Sequence, residues 1–180
     1  MPTALAPSPI QAIHRRQALQ WMAAALALPR AGAAWALDVP KGKVVLSLSG
    51  AISLRNAATQ ADFDMDMLAA LPQQTFSTRT PWFKEAHKFT GPLLRDVLSA
   101  AGASGKTLTA VALNDYRVSI PTEDAIKYPL IVARLLDDQT MTVREKGPLF
   151  IIYPFDSHTE LRNERYYNRS AWQLRALEVR

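Results

Sequence analysis

The residue types best suited to chemistry meet at Asn114-Asp115-Tyr116, where an apolar run stops at two turn-forming polar residues and restarts on a phenol. An amide, a carboxylate and a phenol at the tip of a hairpin can orient a bound molecule and stack against it, the usual way a rigid scaffold presents polar groups. The same Asn-Asp pair is also ordinary turn chemistry, because both side chains bond their own backbone and tolerate left-handed conformations. Other reaction classes find less material. No cysteine occurs, so the sequence offers neither a thiolate nucleophile nor a thiolate metal ligand. His87 and His158 are not at metal-ligand spacing and have no recognisable triad partners, and there is no Gly-x-Ser-x-Gly elbow. Asp115, Asp156 and Glu160 make carboxylate-pair chemistry only if folding converges them.

Positioning Tyr116 falls to the strands on either side. Residues 107–113 and 116–120 alternate or run apolar with β-branched members, the pattern of a hairpin. Earlier in the chain, Val44, Leu46 and Leu48 alternate over residues 43–49 and predict a strand ending at Gly50, with Ile52 and Leu54 continuing it past a bulge. Asp62 reads as the N-cap of a helix that carries Phe63, Met67, Leu68 and Leu71 on one face and stops at Pro72. The polar residues 73–80 and the charged residues 84–88 read as a loop crossing the surface. Residues 92–101 form the best helix pattern, with the stripe Leu94, Val97, Leu98 and Ala101, a cap at Thr90 or Gly91, and Gly102 as the stop.

After the hairpin, residues 121–126 read as a short helical turn. Residues 130–136 read as a buried strand, paired with residues 140–143 across a turn at Asp137-Asp138-Gln139. Residues 149–153 are a continuous apolar run, as in a strand buried on both faces. Residues 157–169 are polar, with three arginines and the pair Tyr166-Tyr167, and read as a functional loop or an ordered surface excursion. Residues 172–179 alternate imperfectly at Ala176-Leu177, as a β-bulge would make them. The predicted fold class is α+β, mixed and mostly β, with a few short helices.

Residues 1–36 have the character of an export signal, with Arg15-Arg16 ahead of an apolar stretch at 18–28 and Ala34-Trp35-Ala36 as the cleavage site. That stretch is too short to span a bilayer, which takes about 20 residues. Arg15-Arg16 followed by Leu19 is similar to a twin-arginine signal; the general secretory route is the alternative, and an uncleaved N-terminal anchor the residual one. The expected product is one periplasmic or otherwise exported domain over residues 37–180, with no transmembrane span after cleavage. Removing residues 1–36 takes three of the 21 basic residues and none of the 16 acidic ones, which leaves 18 against 16, or +2. A domain this close to neutrality, without a basic stripe interleaved with aromatics, is not expected to bind nucleic acid.

The order of motifs resembles that of the oxidoreductase molybdopterin-binding domain of the sulfite oxidase superfamily, most of all its small exported single-domain members. The residues that carry the resemblance are Phe89-Thr90-Gly91-Pro92-Leu93-Leu94-Arg95-Asp96-Val97-Leu98, Asn114-Asp115-Tyr116-Arg117-Val118-Ser119-Ile120-Pro121, Lys146-Gly147-Pro148-Leu149 and Trp172. The resemblance implies a mixed α+β fold that holds a molybdenum cofactor through one cysteine thiolate, located among residues 77–80. Here that stretch reads Phe76-Ser77-Thr78-Arg79-Thr80. A hydroxyl ionises far above neutral pH and does not replace a thiolate on molybdenum. The resemblance also implies an arginine near Phe150 and a lysine where Ala171 stands, whereas a pterin pyrophosphate needs cationic and N–H donors. Tyr116 falls where the family places a tyrosine beside the metal.

Two readings follow. One is a non-catalytic binding or sensing module for a small anionic or pterin-like ligand, with a pocket built from Thr78, Thr80, Asn114, Asp115, Tyr116, Lys146, Asp156 and Trp172. In it, Tyr116 stacks on or hydrogen-bonds to the ligand, Asn114 and Asp115 orient it, and Lys146 or Arg144 supplies positive charge. No residue takes a catalytic or metal-ligating role. The other reading is an oxidoreductase that binds molybdopterin or the molybdenum cofactor with an oxygen ligand or none. Beyond these two, a third reading is a plain interaction protein whose residues 157–169 dock on a membrane sensor or an enzyme partner.

Overall fold

The computed structural model describes residues 37–180, so the export segment expected at residues 1–36 lies outside the described residues. Strands dominate, and they form a five-stranded sheet, a four-stranded sheet and a two-stranded ribbon. Among the described residues no helix is long and apolar enough to cross a membrane.

The five-stranded sheet contains β1 (Val44–Gly50), β2 (Gln60–Asp64), β5 (Thr107–Ala112), β6 (Arg117–Pro121) and β11 (Leu174–Val179), in the order β2-β1-β11-β5-β6. β1 and β11 run parallel, and the other three pairings are antiparallel. Leu46 and Leu48 of β1 are fully buried, whereas Val44 is exposed because the pairing with β2 slips between Val44 and Leu46. The strand thus has a shorter buried face than simple alternation predicts. Each buried leucine is worth about 1.5–3 kcal/mol of transfer free energy. The last strand is irregular, but not at Ala176-Leu177, where pairing is continuous: the register of β11 on β5 shifts earlier, between Leu174 and Ala176.

Asp62 does not cap a helix. Residues 60–64 are strand β2, and helix α1 (Met65–Ala70) is capped by Asp64, whose carboxylate accepts the Met67 N–H at 2.8 Å. The same carboxylate accepts the Lys41 and Gly42 N–H groups, each at 2.8 Å, and these backbone donors hold its pKa below the usual carboxylate range, Met67 most strongly. Phe63 lies in the strand, where period two buries it beside Ala61. Ile52 makes a single bridge to Ala103 and does not extend β1.

The four-stranded sheet orders β3 (Gln73–Thr78), β4 (His87–Pro92), β8 (Leu135–Leu136) and β9 (Gln139–Thr140), all antiparallel. The expected surface loop over residues 73–80 is mostly strand β3. Its threonines suit an extended backbone, and only one of its faces meets the core, so no apolar run marks it. Gly91 in β4 lies so close to the Val132 carbonyl of β7 (Ile131–Ala133) that a Cβ would collide with it. β7 pairs with β10 (Phe150–Ile152), and all six residues of this ribbon are buried, as the apolar run at 149–153 predicts for β10. Residues 130–136 are not one strand but split into β7 and β8, and only β8 pairs across the turn, with Gln139-Thr140.

Helix α2 (Leu94–Ala100) has the expected buried face at Leu94, Val97 and Leu98, but begins two residues later than read, with Leu93 at the cap. Helix α3 (Thr122–Lys127) occupies the expected short turn. The long polar segment is ordered: a 3-10 turn (Thr159–Leu161) buries Leu161, and helix α4 (Glu164–Arg169) follows, capped by the Asn163 side chain on the Arg165 N–H.

Candidate functional site

Two adjoining clefts share Tyr167 of α4 as a common wall. The larger, of about 270 Å³, is lined by Arg79, Thr80, Pro81, Asp156, Arg162 and Tyr167. The smaller, of about 80 Å³, is lined by Trp82, Tyr116, Tyr167, Asn168, Ser170 and Trp172. Arginine and carboxylate furnish the first, and aromatic rings furnish the second.

The chain end of β3 sets up the larger cleft. Thr78 is fully buried, and its hydroxyl accepts the Asp156 N–H at 3.0 Å and points at the Arg79 carbonyl at 3.4 Å. Asp156 in turn accepts the Arg79 N–H at 3.0 Å and pairs with the Arg162 guanidinium at 2.6 Å. Arg162 also donates to the Phe155 carbonyl through Nε at 2.9 Å. One threonine, one aspartate and one arginine therefore splice the end of β3 to the segment that leaves β10. The Thr80 hydroxyl accepts the Trp82 N–H at 3.3 Å, which turns the chain so that the indole enters the smaller cleft.

That cleft is an aromatic cluster. The Trp82 ring lies 5.3 Å from Trp172, 6.1 Å from Tyr167 and 5.6 Å from Phe150, all tilted or edge-on. Lys146 covers Trp172 with its ammonium 4.6 Å from the ring centroid, and stands 5.6 Å from Phe83. Tyr116 closes the rim, 49% exposed, with its hydroxyl 3.4 Å from the Asn168 carbonyl.

The folded chain thus gathers Thr80, Tyr116, Asp156 and Trp172 at the two clefts, with Thr78 just beneath and Lys146 behind Trp172. Asn114, Asp115 and Arg144 stand elsewhere. The Asn114 side chain accepts the Tyr116 N–H at 3.1 Å, and Asp115 sits at φ +65 with its carboxylate on Arg175 at 2.6 Å. Asn114 thus serves the turn and Asp115 an ion pair to β11, and neither lines either cleft. Arg144 is an exposed member of a 3-10 turn (Val143–Glu145) whose ends are closed by a Thr142–Glu145 capping box. Arg79, Trp82, Arg162, Tyr167, Asn168 and Ser170 also line the clefts, and no motif in the sequence marks them. Pro81-Trp82-Phe83 within a polar stretch, and Tyr166-Tyr167 within an arginine-rich one, were the available signals.

Behind the clefts lies a buried polar anchor. Tyr153 donates to Asp124 at 2.8 Å, and Arg169 pairs with the same carboxylate oxygen at 2.7 Å. Burial, and then the negative charge of Asp124, push the Tyr153 phenol far above its ordinary value, so it stays a neutral donor.

These residues do not fit a thiolate-held molybdenum cofactor. The Thr78 hydroxyl, within the stretch where the resemblance puts the thiolate, is buried and committed to its hydrogen bonds. Phe150 and Ala171, where it implies cationic contacts, are buried and apolar. Among the described residues no cluster of three or more histidine, aspartate or glutamate side chains could hold a metal ion.

No protein-family model matches the sequence, and no curated protein matches it. Among solved structures, the chain is similar to the sulfane dehydrogenase SoxCD from Paracoccus pantotrophus, with a TM-score of 0.57 at 16% sequence identity. The match covers 80% of this chain and 40% of that one, so this chain spans about two fifths of the dehydrogenase. What is shared at that identity is the fold: mixed, mostly sheet, with a few short helices, in keeping with the sulfite-oxidase-type architecture that the motif order implied.

Proposed function

We propose that this chain is an exported, non-catalytic ligand-binding or sensing module built on a sulfite-oxidase-type fold, taking a small anionic ligand at the cleft between Arg79 and Arg162. The observation that carries the reading is Thr78. Where a metal-holding domain of this type needs a thiolate, a buried hydroxyl instead ties β3 to Asp156 and shapes the cleft wall. The likeness to a dehydrogenase supports the architecture and extends to nothing that the dehydrogenase acts on.

The cleft's own chemistry favours anions. Arg162 and Arg79 line the cleft with two positive charges against the single carboxylate of Asp156, and guanidinium donors recognise planar or tetrahedral oxyanions through paired N–H groups. Tyr167 offers an aromatic wall for the rest of a ligand. Binding at this rim would be communicated through α4 and residues 157–169 to a membrane sensor or an enzyme partner.

The test uses protein recovered from its natural export compartment. Elemental analysis should find no stoichiometric molybdenum, and calorimetric titration with sulfate, phosphate and a pterin should show binding that Arg162→Ala weakens. Stoichiometric molybdenum, or the same affinity in the variant, overturns the reading. Amino-terminal sequencing of the recovered protein should begin at Leu37.

A further inference from the structure

We infer that the outer edge of β3 is a docking edge for an extended acidic peptide, which adds as a further strand to the four-stranded sheet and brings its carboxylate to Arg79. The direction of each backbone group follows from the pairing. The Lys88 and Thr90 carbonyls of β4 accept the Asp137 and Arg134 N–H groups at 2.8 and 2.9 Å, so these two residues turn toward β8. Backbone groups alternate along an antiparallel strand, hence His87, Phe89 and Gly91 turn toward β3, where they meet Thr78, Phe76 and Gln74. Thr75, Ser77 and Arg79 must therefore direct their N–H and C=O groups away from the sheet. At Arg79 the position is filled by Asp156. Thr75 and Ser77 are exposed and make no backbone hydrogen bond outside the β3–β4 ladder among the described residues.

Sheet edges in soluble proteins are normally guarded by charge, proline, bulges or brevity. Three edges here follow that rule: β2 carries Asp62 and Asp64, β6 begins at Arg117 and ends at Pro121, and β9 is two residues long. β3 has none of these. Its residues 73–78 carry no charge and no proline before Arg79, and its register on β4 is unbroken. An open ladder of this kind gives affinity through main-chain hydrogen bonds.

Charge selects the occupant. Arg79 directly follows the edge, is exposed, and its guanidinium enters no ion pair among the described residues. Arg162 lines the same cleft, with Asp156 the one opposing charge there. A strand laid parallel to β3 against Thr75 and Ser77 delivers its carboxy-terminal residues to this net positive end, because β3 itself runs toward Arg79. The edge does not depend on whether the cleft holds a small anion, and calorimetry with sulfate or phosphate fails or succeeds independently of it.

The probe is a fluorescently labelled hexapeptide of alternating threonine and valine ending in two glutamates, titrated into the full chain. It should bind and protect the Thr75 and Ser77 amides from hydrogen exchange, and the same peptide ending in two lysines should bind about tenfold more weakly. Ser77→Pro removes one outward N–H while leaving the β4 ladder intact, and should weaken the acidic peptide by about tenfold. Arg79→Glu should abolish the preference between the peptides. Equal affinity for both peptides, unprotected Thr75 and Ser77 amides, or full affinity in Ser77→Pro overturns the inference. If Ser77→Pro fails to fold, the exchange pattern of the native chain decides. Self-association in sedimentation that protects those amides without peptide assigns the edge to a second copy and overturns the peptide.

Discussion

Two arginine–aspartate pairs hold the segment between β10 and β11, one near each end, and they share little except length. Arg169 meets Asp124 at 2.7 Å with side chains 20% and 10% exposed, and the Tyr153 hydroxyl bonds the same oxygen. Arg162 meets Asp156 at 2.6 Å with side chains 45% and 28% exposed, at the mouth of a cleft. Coulomb attraction at equal distance is several times stronger where water is excluded, but removing the charges from water costs a comparable amount. The buried pair is consequently an anchor, expensive to break and closed to other partners. The open pair is cheap to break, and that leaves its arginine free to exchange a carboxylate for a ligand.

This contrast is exposed to direct test. Asp124→Ala strands a half-buried guanidinium and a buried phenol, so urea unfolding should show a loss of about 3 kcal/mol, the low end for a broken buried pair. Tyr153→Phe keeps the ring and the ion pair but removes one hydrogen bond to a carboxylate, and the same measurement should give about 1.5–3 kcal/mol. Asp156→Ala should cost about 1–2 kcal/mol, for the open ion pair and the Arg79 N–H bond together, and should raise the affinity of the cleft for phosphate by releasing Arg162. A larger stability loss at Asp156 than at Asp124 would break the comparison.

A third carboxylate sharpens it, because Asp64 is held by backbone N–H groups rather than by an arginine. Its folded pKa lies below the unfolded one, so its contribution is present above about pH 4 and fades as pH falls through the lower folded value. Thermal melts from about pH 5 down to about pH 2 should show the native chain losing stability more steeply than Asp64→Asn, whose amide still caps α1 but does not titrate.

The parts of the fold that sequence patterning revealed are those with two apolar faces or a complete apolar stripe. β10 reads as buried because Phe150, Ile151 and Ile152 are all inside, and α2 reads as a helix because Leu94, Val97 and Leu98 recur at helical spacing. β3 was hidden because it is an edge strand whose contribution to the core is a buried threonine and a half-buried phenylalanine. α4 was hidden because it is one and a half turns long and packs through Tyr166 and Tyr167 rather than through aliphatic side chains.

The candidate site follows the same division. Tyr116 and Trp172 are visible as aromatics at motif positions, whereas Tyr167 belongs to α4, Arg79 directly follows β3, and Arg162 ends the 3-10 turn ahead of α4. Asn114 and Asp115 were conspicuous for a different reason. Their types serve turns and ligands alike, and only the partner atoms distinguish the uses.

The place of β11 has a consequence in time. It is the middle strand of the five-stranded sheet, with β1 on one side and β5 on the other, yet every other strand of that sheet precedes it along the chain. The hairpins β1–β2 and β5–β6 can pair as soon as they are synthesised, but neither has its second neighbour until residues 174–179 arrive. Until then each presents an open inner edge, and the two halves of the protein wait for one late strand to join them.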